Sequence, residues 1–408
     1  MLVTDEKLIH RDLAHEVVCK IFDSLPKKQE NNTDYLRFPN ITPPESKIRK
    51  AFMSPIRFLA GGWRKRLSTV SVPAVETSGK IEEDGVTVLP QHLPLKRYST
   101  KVRKYASRFI SLLPMMEDYQ KAFDILTDEC SKDWMVELLA YRVLGGKRVK
   151  LSANTEEFWE ARRKADQLKV QENVCDCGRL GMGHVFDLTP VGIPIRVWSH
   201  PIYISVMVQG NLYRLKRGKI FCGVEPGDVV LDAGACWGET ALMFASQAKE
   251  GGRVYSFEFD SANLKIFKQN LSMNPELSGQ VQIVPAAVWS SSGEKIEFDS
   301  KGASTSLTNE VGGENSVTTI CIDDFVREQG LERVNFIKMD IEGAELQALE
   351  GAIETIRRFR PKMALCLYHK PEDFYTIPLW LHNLNLGYRF SVDHNTIHAE
   401  ETVLYAQV

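Results

Sequence analysis

An α/β fold built on an open, mostly parallel sheet is what the chain from Pro226 onward predicts, and three observations carry that prediction. Short apolar runs alternate with stretches of helical spacing, the pattern of strands covered on both faces by crossover helices. The first run passes into a glycine turn, GDVVLDAGACWGET at 227–240, where a strand hands over to a helix. The last two runs follow one another without a helical segment between them, so they close the sheet as an antiparallel pair.

Each element has its own warrant. Val229, Val230 and Leu231 make the first strand, Asp232 ends it, and Ala241, Leu242, Phe244 and Ala245 give the next helix an apolar face as far as about Lys249. Arg253 to Glu258 is the second strand, Ser261 to Leu271 a helix, and Val281 to Pro285 the third strand. Glu294 to Ile322 holds IEFDS, a loop rich in Gly, Ser and Thr, and VTTICI, which reads as an inserted hairpin before a short helix capped by Asp323 and ended by Gly330. Val334 to Asp340 is strand four, Glu345 to Phe359 a helix and Met363 to Leu367 strand five, with Tyr388–Val392 and Thr402–Ala406 as the terminal pair.

The region before this core is of another kind. Leu13, Val17, Ile21 and Leu25 recur every four residues as a helix face that Pro26 ends. Residues 46–66 carry Lys47, Arg49, Lys50, Arg57, Arg64, Lys65 and Arg66 among aromatics and no acid, which suits peripheral contact with an anionic surface, although Pro55 and Gly61–Gly62 break any helix there. A solvated arm is the plainer reading. After Pro114, Tyr119, Ala122, Phe123 and Leu126 share one face. Ser131 starts a second helix that stops at Gly145, and Asn154 and Thr155 start a third. Val185 to Val208 alternates and is proline-punctuated, which predicts short antiparallel strands. The expected domains are a partly irregular extension at 1–110 with a basic arm, a helical and short-strand preamble at 111–213, and the α/β domain at 214–408.

Composition excludes more than it selects. With 408 residues, 43% hydrophobic, 25% charged and a net charge of -2, the chain is ordinary globular material with no bulk attraction to nucleic acid. MLVTDEKLIHRDL lacks a secretion layout, so a cytoplasmic location and reduced thiols are expected for the eight cysteines. Cys175 and Cys177 with His184 lack the CxxC spacing of a zinc knuckle, so no metal is expected there.

The glycine turn limits the ligand. A dinucleotide turn wants GxGxxG, whereas this one reads DxGxxxG with Asp232 just before Gly234 and Gly238, an arrangement that suits a cation better than a pyrophosphate. S-adenosylmethionine carries an ammonium, a sulfonium and no phosphate. Asp232 is placed to accept from the ammonium, directly or through water, and Glu258, ending the second strand, to accept from both ribose hydroxyls. An oxidoreductase using a nicotinamide falls on the missing third glycine. A pair of ligand-free strand ends is the bland alternative.

The words VVLDAGACWGETALMFA, VYSFEFD, NLSMNP, VTTICIDDF and FIKMDIEGAELQALEGA resemble the FkbM family of S-adenosylmethionine-dependent methyltransferases, over about residues 226–408. The resemblance implies a class I, Rossmann-like sheet of seven strands, mostly parallel with a C-terminal antiparallel pair. It also implies O-methylation of a hydroxyl on a sugar, glycolipid or secondary metabolite. Carried onto this chain, it puts Asp232, Gly234, Ala235, Gly238, Glu258, Phe259 and Asp340 at the cofactor, with Ala286 and Ala287 where adenine is reached. His369, after strand five, is the expected general base, with Asp340 and Glu342 beside the transferring methyl. Asp340 and Glu342 permit a divalent metal without requiring one. The competing reading is a non-catalytic module that binds S-adenosylmethionine and recruits a partner through its N-terminal arm.

Overall fold

The structure is a computed structural model that describes residues 11–24, 100–176, 182–210, 212–299, 306–308 and 315–408. The basic stretch at 46–66 and the Cys175–Cys177 pairing lie outside the residues and side chains so described. The chain divides into two compact units, Met1–Gln120 with Val136–Leu151, and Lys121–Met135 with Ser152–Val408. In the first, the helix Leu13–Ser24 buries Leu13, Val17 and Ile21, the residues spaced by four. The Leu13 amide donates to Gln120 Oε1 at 2.8 Å, and Lys20 pairs with Glu137 at 2.6 Å.

The second unit opens with short elements. The helix Glu129–Leu144, whose residues from Val136 onward belong to the first unit, begins behind Asp128, whose carboxylate accepts from the Ser131 amide, so Asp128 is the cap and Ser131 lies in the first turn. The helix Glu156–Gln167 is capped by Thr155 as its sequence predicts. Strands β1 (Lys169–Asp176), β2 (Met182–Asp187) and β3 (Arg196–Ser199) form a three-stranded antiparallel sheet. The alternating stretch then stops being strand: Pro201–Gln209 is a helix. Pro201 occupies its first turn, where a missing N–H costs nothing, His200 Nδ1 accepts from the Ile202 amide, and Gly210 ends it in the left-handed region. β4 (Leu215–Arg217) and β5 (Ile220–Cys222) make a hairpin leading into the core.

The core is the seven-stranded sheet. Its strands are β6 (Val229–Ala233), β7 (Arg253–Phe257), β8 (Val281–Val284), then, after the small strands β9 (Ala287–Val288), β10 (Lys295–Asp299), β11 (Ser306–Thr308) and β12 (Ser316–Ile320), β13 (Phe336–Met339), β14 (Lys362–Cys366), β15 (Arg389–His394) and β16 (Thr402–Gln407). The order is β15-β16-β14-β13-β6-β7-β8; β14, β13, β6, β7 and β8 run parallel, and β16 is antiparallel to both β14 and β15. The order reverses between β6 and β13, the point at which an open α/β sheet leaves a crevice outside its carboxyl ends. The expected hairpin is a separate four-stranded sheet, β11-β10-β12-β9, in which β12 pairs in parallel with β9.

Three details depart from expectation. Glu345–Phe359 is two helices, Glu345–Glu350 and Ile353–Phe359, broken at Gly351, where a Cβ would lie 2.3 Å from the Trp289 carbonyl. The helix Ile322–Glu328 is capped by Cys321, while Asp323 accepts from the amides of Glu354 and Thr355 and so starts a different helix. A further helix, Asp373–Asn383, carries Pro378 inside it. Asn270 and Asn274 of NLSMNP have a structural task. Asn270 receives the Trp198 amide at 2.7 Å and donates to the carbonyls of Trp198 and Trp237, and Asn274 receives the Arg196 amide at 2.9 Å, fastening β3 to the helix Ser261–Ser272.

Candidate active site

A cleft of about 1010 Å³, counting its open mouth, crosses the carboxyl ends of β13, β6, β7 and β8. Gly234, Ala235, Glu258, Phe259, Ala286, Ala287, Asp340 and Glu342 all line it, as expected. Sequence reasoning missed Tyr203, Tyr213, Glu239, Asn263, Lys338 and Glu401 on the same wall.

At the end near β7 and β8, Glu258 is fixed by its own loop. Its Oε1 accepts from the amides of Phe259 and Asp260, both at 2.7 Å, and Asn263 Nδ2 donates to Oε2 at 3.4 Å. Burial holds its carboxyl up at about 7 against those hydrogen bonds. The Phe259 ring meets Phe298 edge-on at 4.9 Å.

Asp232 requires a correction. It is fully buried and does not line the cleft. Thr240 Oγ1 donates to its Oδ2 at 2.8 Å, Ser256 Oγ to the same oxygen at 3.3 Å, and Lys338 Nζ sits 3.2 Å from Oδ1. Lys338 also donates to the carbonyls of Gly234 (2.7 Å) and Ala233 (3.2 Å), so Asp232 holds the glycine turn through a buried ion pair instead of meeting a ligand. Gly238 is corrected likewise. It is absent from the cleft wall, and at φ 84° a Cβ there would lie 2.1 Å from the Phe267 ring, so the glycine serves helix packing. Gly234 (φ 80°) does line the cleft; its Cβ would sit 1.9 Å from the Asp340 carbonyl oxygen, so this glycine lets the ends of β6 and β13 touch.

At the β13 end, Asp340 Oδ2 receives the Tyr213 hydroxyl at 2.7 Å and Oδ1 the Tyr368 hydroxyl at 2.9 Å. His369 lies beside it with a side chain 7% exposed: Nε2 is 3.3 Å from Asp340 Oδ1 and 3.7 Å from Glu342 Oε2, and Nδ1 is 2.9 Å from Glu345 Oε1. Burial disfavours the imidazolium, but Asp340 and Glu345 outweigh it and push the ring up to about 11. Asp340 falls well below the carboxylate range, since the His369 hydrogen bond and the Lys338 charge overcome its burial. The structure therefore changes the expected role of His369. The ring lies off the cleft wall, and the carboxylates around it favour its protonated form. Burial raises Glu342 to about 7 and Glu239, which receives the Ser199 hydroxyl at 2.7 Å, also to about 7.

Asp340, Glu345 and His369 each bring a donor atom within 4.8 Å of the others, close enough for a divalent cation, with Glu345 in place of the expected Glu342. The backbone supports a functional reading of the cleft. Of the non-glycine residues with positive φ, Tyr213 (49°), Cys236 (48°), Glu342 (55°) and Glu401 (68°) all line it. Residues in such sparsely populated conformations collect at functional sites.

The strand order, the reversed last strand and a cleft at the switch point define the class I methyltransferase fold. Residues 222–390 match the family model described as Methyltransferase FkbM domain. The 2-O-methyltransferase NoeI of Sinorhizobium fredii is 26% identical over 154 residues, covering 33% of this chain and 62% of that protein. The hexuronic acid methyltransferase AglP of Haloferax volcanii is 29% identical over 135 residues, covering 33% of this chain and 53% of that protein. The chain thus spans less than two thirds of the length of these relatives. Among solved structures, the methyltransferase FkbM of Methylobacillus flagellatus superposes with a TM-score of 0.47 at 17% identity, over 76% of this chain and 62% of that one. No described helix is long and apolar enough to cross a membrane.

Proposed function

We propose that the chain is an S-adenosylmethionine-dependent methyltransferase acting on a hydroxyl of a sugar, glycolipid or secondary metabolite. One observation carries this: a single cleft holds an immobilised carboxylate, Glu258, at its β7 end and the Asp340–Glu342 pair at its β13 end. S-adenosylmethionine supplies a methyl group made electrophilic by its sulfonium. Glu258, with Oε1 engaged by two amides, presents its remaining lone pairs to ribose hydroxyls, and the Ala286–Ala287 segment leaves room for a flat ring against backbone.

Proton transfer falls to Glu342. It faces the cleft, its carboxyl stands at about 7, and a base with a value near the working pH accepts a hydroxyl proton most effectively. His369 is then a positioning residue: its cation keeps Asp340 ionised, and Asp340, held by two tyrosine hydroxyls, orients the acceptor. Glu342→Gln should keep affinity for S-adenosylhomocysteine while turnover falls roughly a hundredfold. Undiminished turnover would remove Glu342 as base. The second reading is a divalent cation on Asp340, Glu345 and His369, supported by their mutual approach; it predicts that a chelator abolishes turnover and that added metal restores it. A binding-only role gives no reason for two carboxylates on left-handed backbone in the cleft. The cytoplasm is the compartment that suits the free thiols found at six described cysteines.

A further inference from the structure

The charge of the cleft is one-sided. Among its described lining residues the acids are Glu239, Glu258, Asp340, Glu342 and Glu401, and the one cation is Lys338. Lys338 is closed to an incoming group, because its side chain is 1% exposed and its ammonium is spent on Asp232 and the carbonyls of Ala233 and Gly234. The neighbouring His369 faces Asp340, Glu342 and Glu345 and lies off the cleft wall. An anion entering beside Asp340 would therefore meet carboxylates and no free described cation.

Glu401 is the most telling of these acids. It precedes β16, and because β16 runs antiparallel to β14, the start of that strand falls at the same sheet edge as the end of β13. Its carboxylate lines the cleft and makes no hydrogen bond or ion pair among the described residues, while its backbone is held at φ 68°. Glu342 faces the same space at φ 55°. A carboxylate offers acceptor lone pairs to hydroxyl or ammonium donors and nothing to another carboxylate.

We propose that the acceptor end of the cleft, between Glu342 and Glu401, takes a hydroxyl-bearing unit that is itself uncharged or cationic, such as a neutral or amino sugar, and excludes one bearing a carboxylate. This rests on the methyl-transfer reading above and narrows it. Like charges set side by side at a buried contact are strongly unfavourable. A carboxylate acceptor would add one more charge to this wall, whereas a diol or an ammonium would satisfy it. Such an acceptor would differ from the one for which the relative AglP, a hexuronic acid methyltransferase, is named.

The test uses the full chain, S-adenosylmethionine labelled in its methyl group, and an extract of cell glycans and glycolipids. Labelled products are split in two; one half is treated with mild base, the other hydrolysed to single units and passed over an anion exchanger. Base-stable label in units that the exchanger does not retain is the expected result. Label released by base as methanol, which reports a carboxyl ester, or label in retained units overturns the proposal. No label in any fraction sinks the methyl-transfer reading itself, and this inference with it. Glu401→Gln should bind S-adenosylhomocysteine within twofold of the parent yet lose on the order of tenfold or more in transfer. Unchanged transfer in that variant removes Glu401 from the acceptor site.

Discussion

At the scale of single residues, the cleft's acids divide by what holds them. Glu258 is preorganised by two amides and is the residue whose loss should be felt by cofactor alone. Glu258→Ala should weaken S-adenosylhomocysteine binding on the order of tenfold in calorimetry, the cost of one charged hydrogen-bond acceptor; unchanged affinity would take the ribose role from it. Both Glu258 and Asp340 were legible in the sequence because each ends an apolar run, and parallel strands put such ends in one row. Asp232 ends a run too, yet Lys338 claims it, and no local pattern announces that a lysine inside FIKMD turns inward. His369 was expected as a base on its ordinary value near 6.5, which takes no account of the carboxylates that tertiary structure brings around it and that push it up. Glu401 carried no motif; its only signal was that the strand after it had to run backwards.

At the scale of elements, the parallel strands were readable because burial on both faces leaves unbroken apolar runs. The helix Pro201–Gln209 was not, since its apolar sequence, IYISVMV, interrupted only by Ser205, suits a buried strand and a buried helix equally, and the decision lies with Pro201 and Gly210 at its ends. The junction between the helices Glu239–Ala248 and Ser261–Ser272 offers a sharper test. Gly238→Ala must place a methyl group 2.1 Å from the Phe267 ring on a left-handed backbone, and should cost about 1–3 kcal/mol of stability. Thermal unfolding measures this. A variant as stable as the parent would mean that Phe267 yields without penalty.

At the scale of the whole molecule, pH should act in one direction. Glu239, Glu258, Glu342 and Glu401 have folded values of about 7 to 8, above their ordinary 4.5, so between those limits the native state binds more protons than the unfolded chain. His369, raised from 6.5 to about 11, adds the same sign above pH 6.5. Stability of the cofactor-free protein should therefore fall as pH rises from about 5 to 8.5, and a melting temperature that rises across that range would contradict the charge assignment. All described cleft residues lie between Tyr203 and Glu401, so a chain beginning at Thr100 should bind S-adenosylhomocysteine like the parent; loss of binding would show that the missing residues are needed for the fold. Flotation with anionic vesicles tests the proposed contact of residues 46–66, which predicts binding that salt abolishes.

The contact between Gly234 and Asp340 has a thermodynamic corollary. Because no side chain separates the turn after β6 from the carbonyl after β13, the ends of these two strands lie in direct contact, tied again by Lys338 to the Gly234 carbonyl. A ligand that tightens the glycine turn must then quieten Asp340 and its successors, and by reciprocity an acceptor held at Asp340 must tighten the grip on the cofactor by the same factor. Amide exchange should register that coupling as slower opening at Ile341, whose amide donates to Glu345, when only S-adenosylhomocysteine is present. Each ligand would then strengthen the hold on the other by the same factor, whichever arrives first.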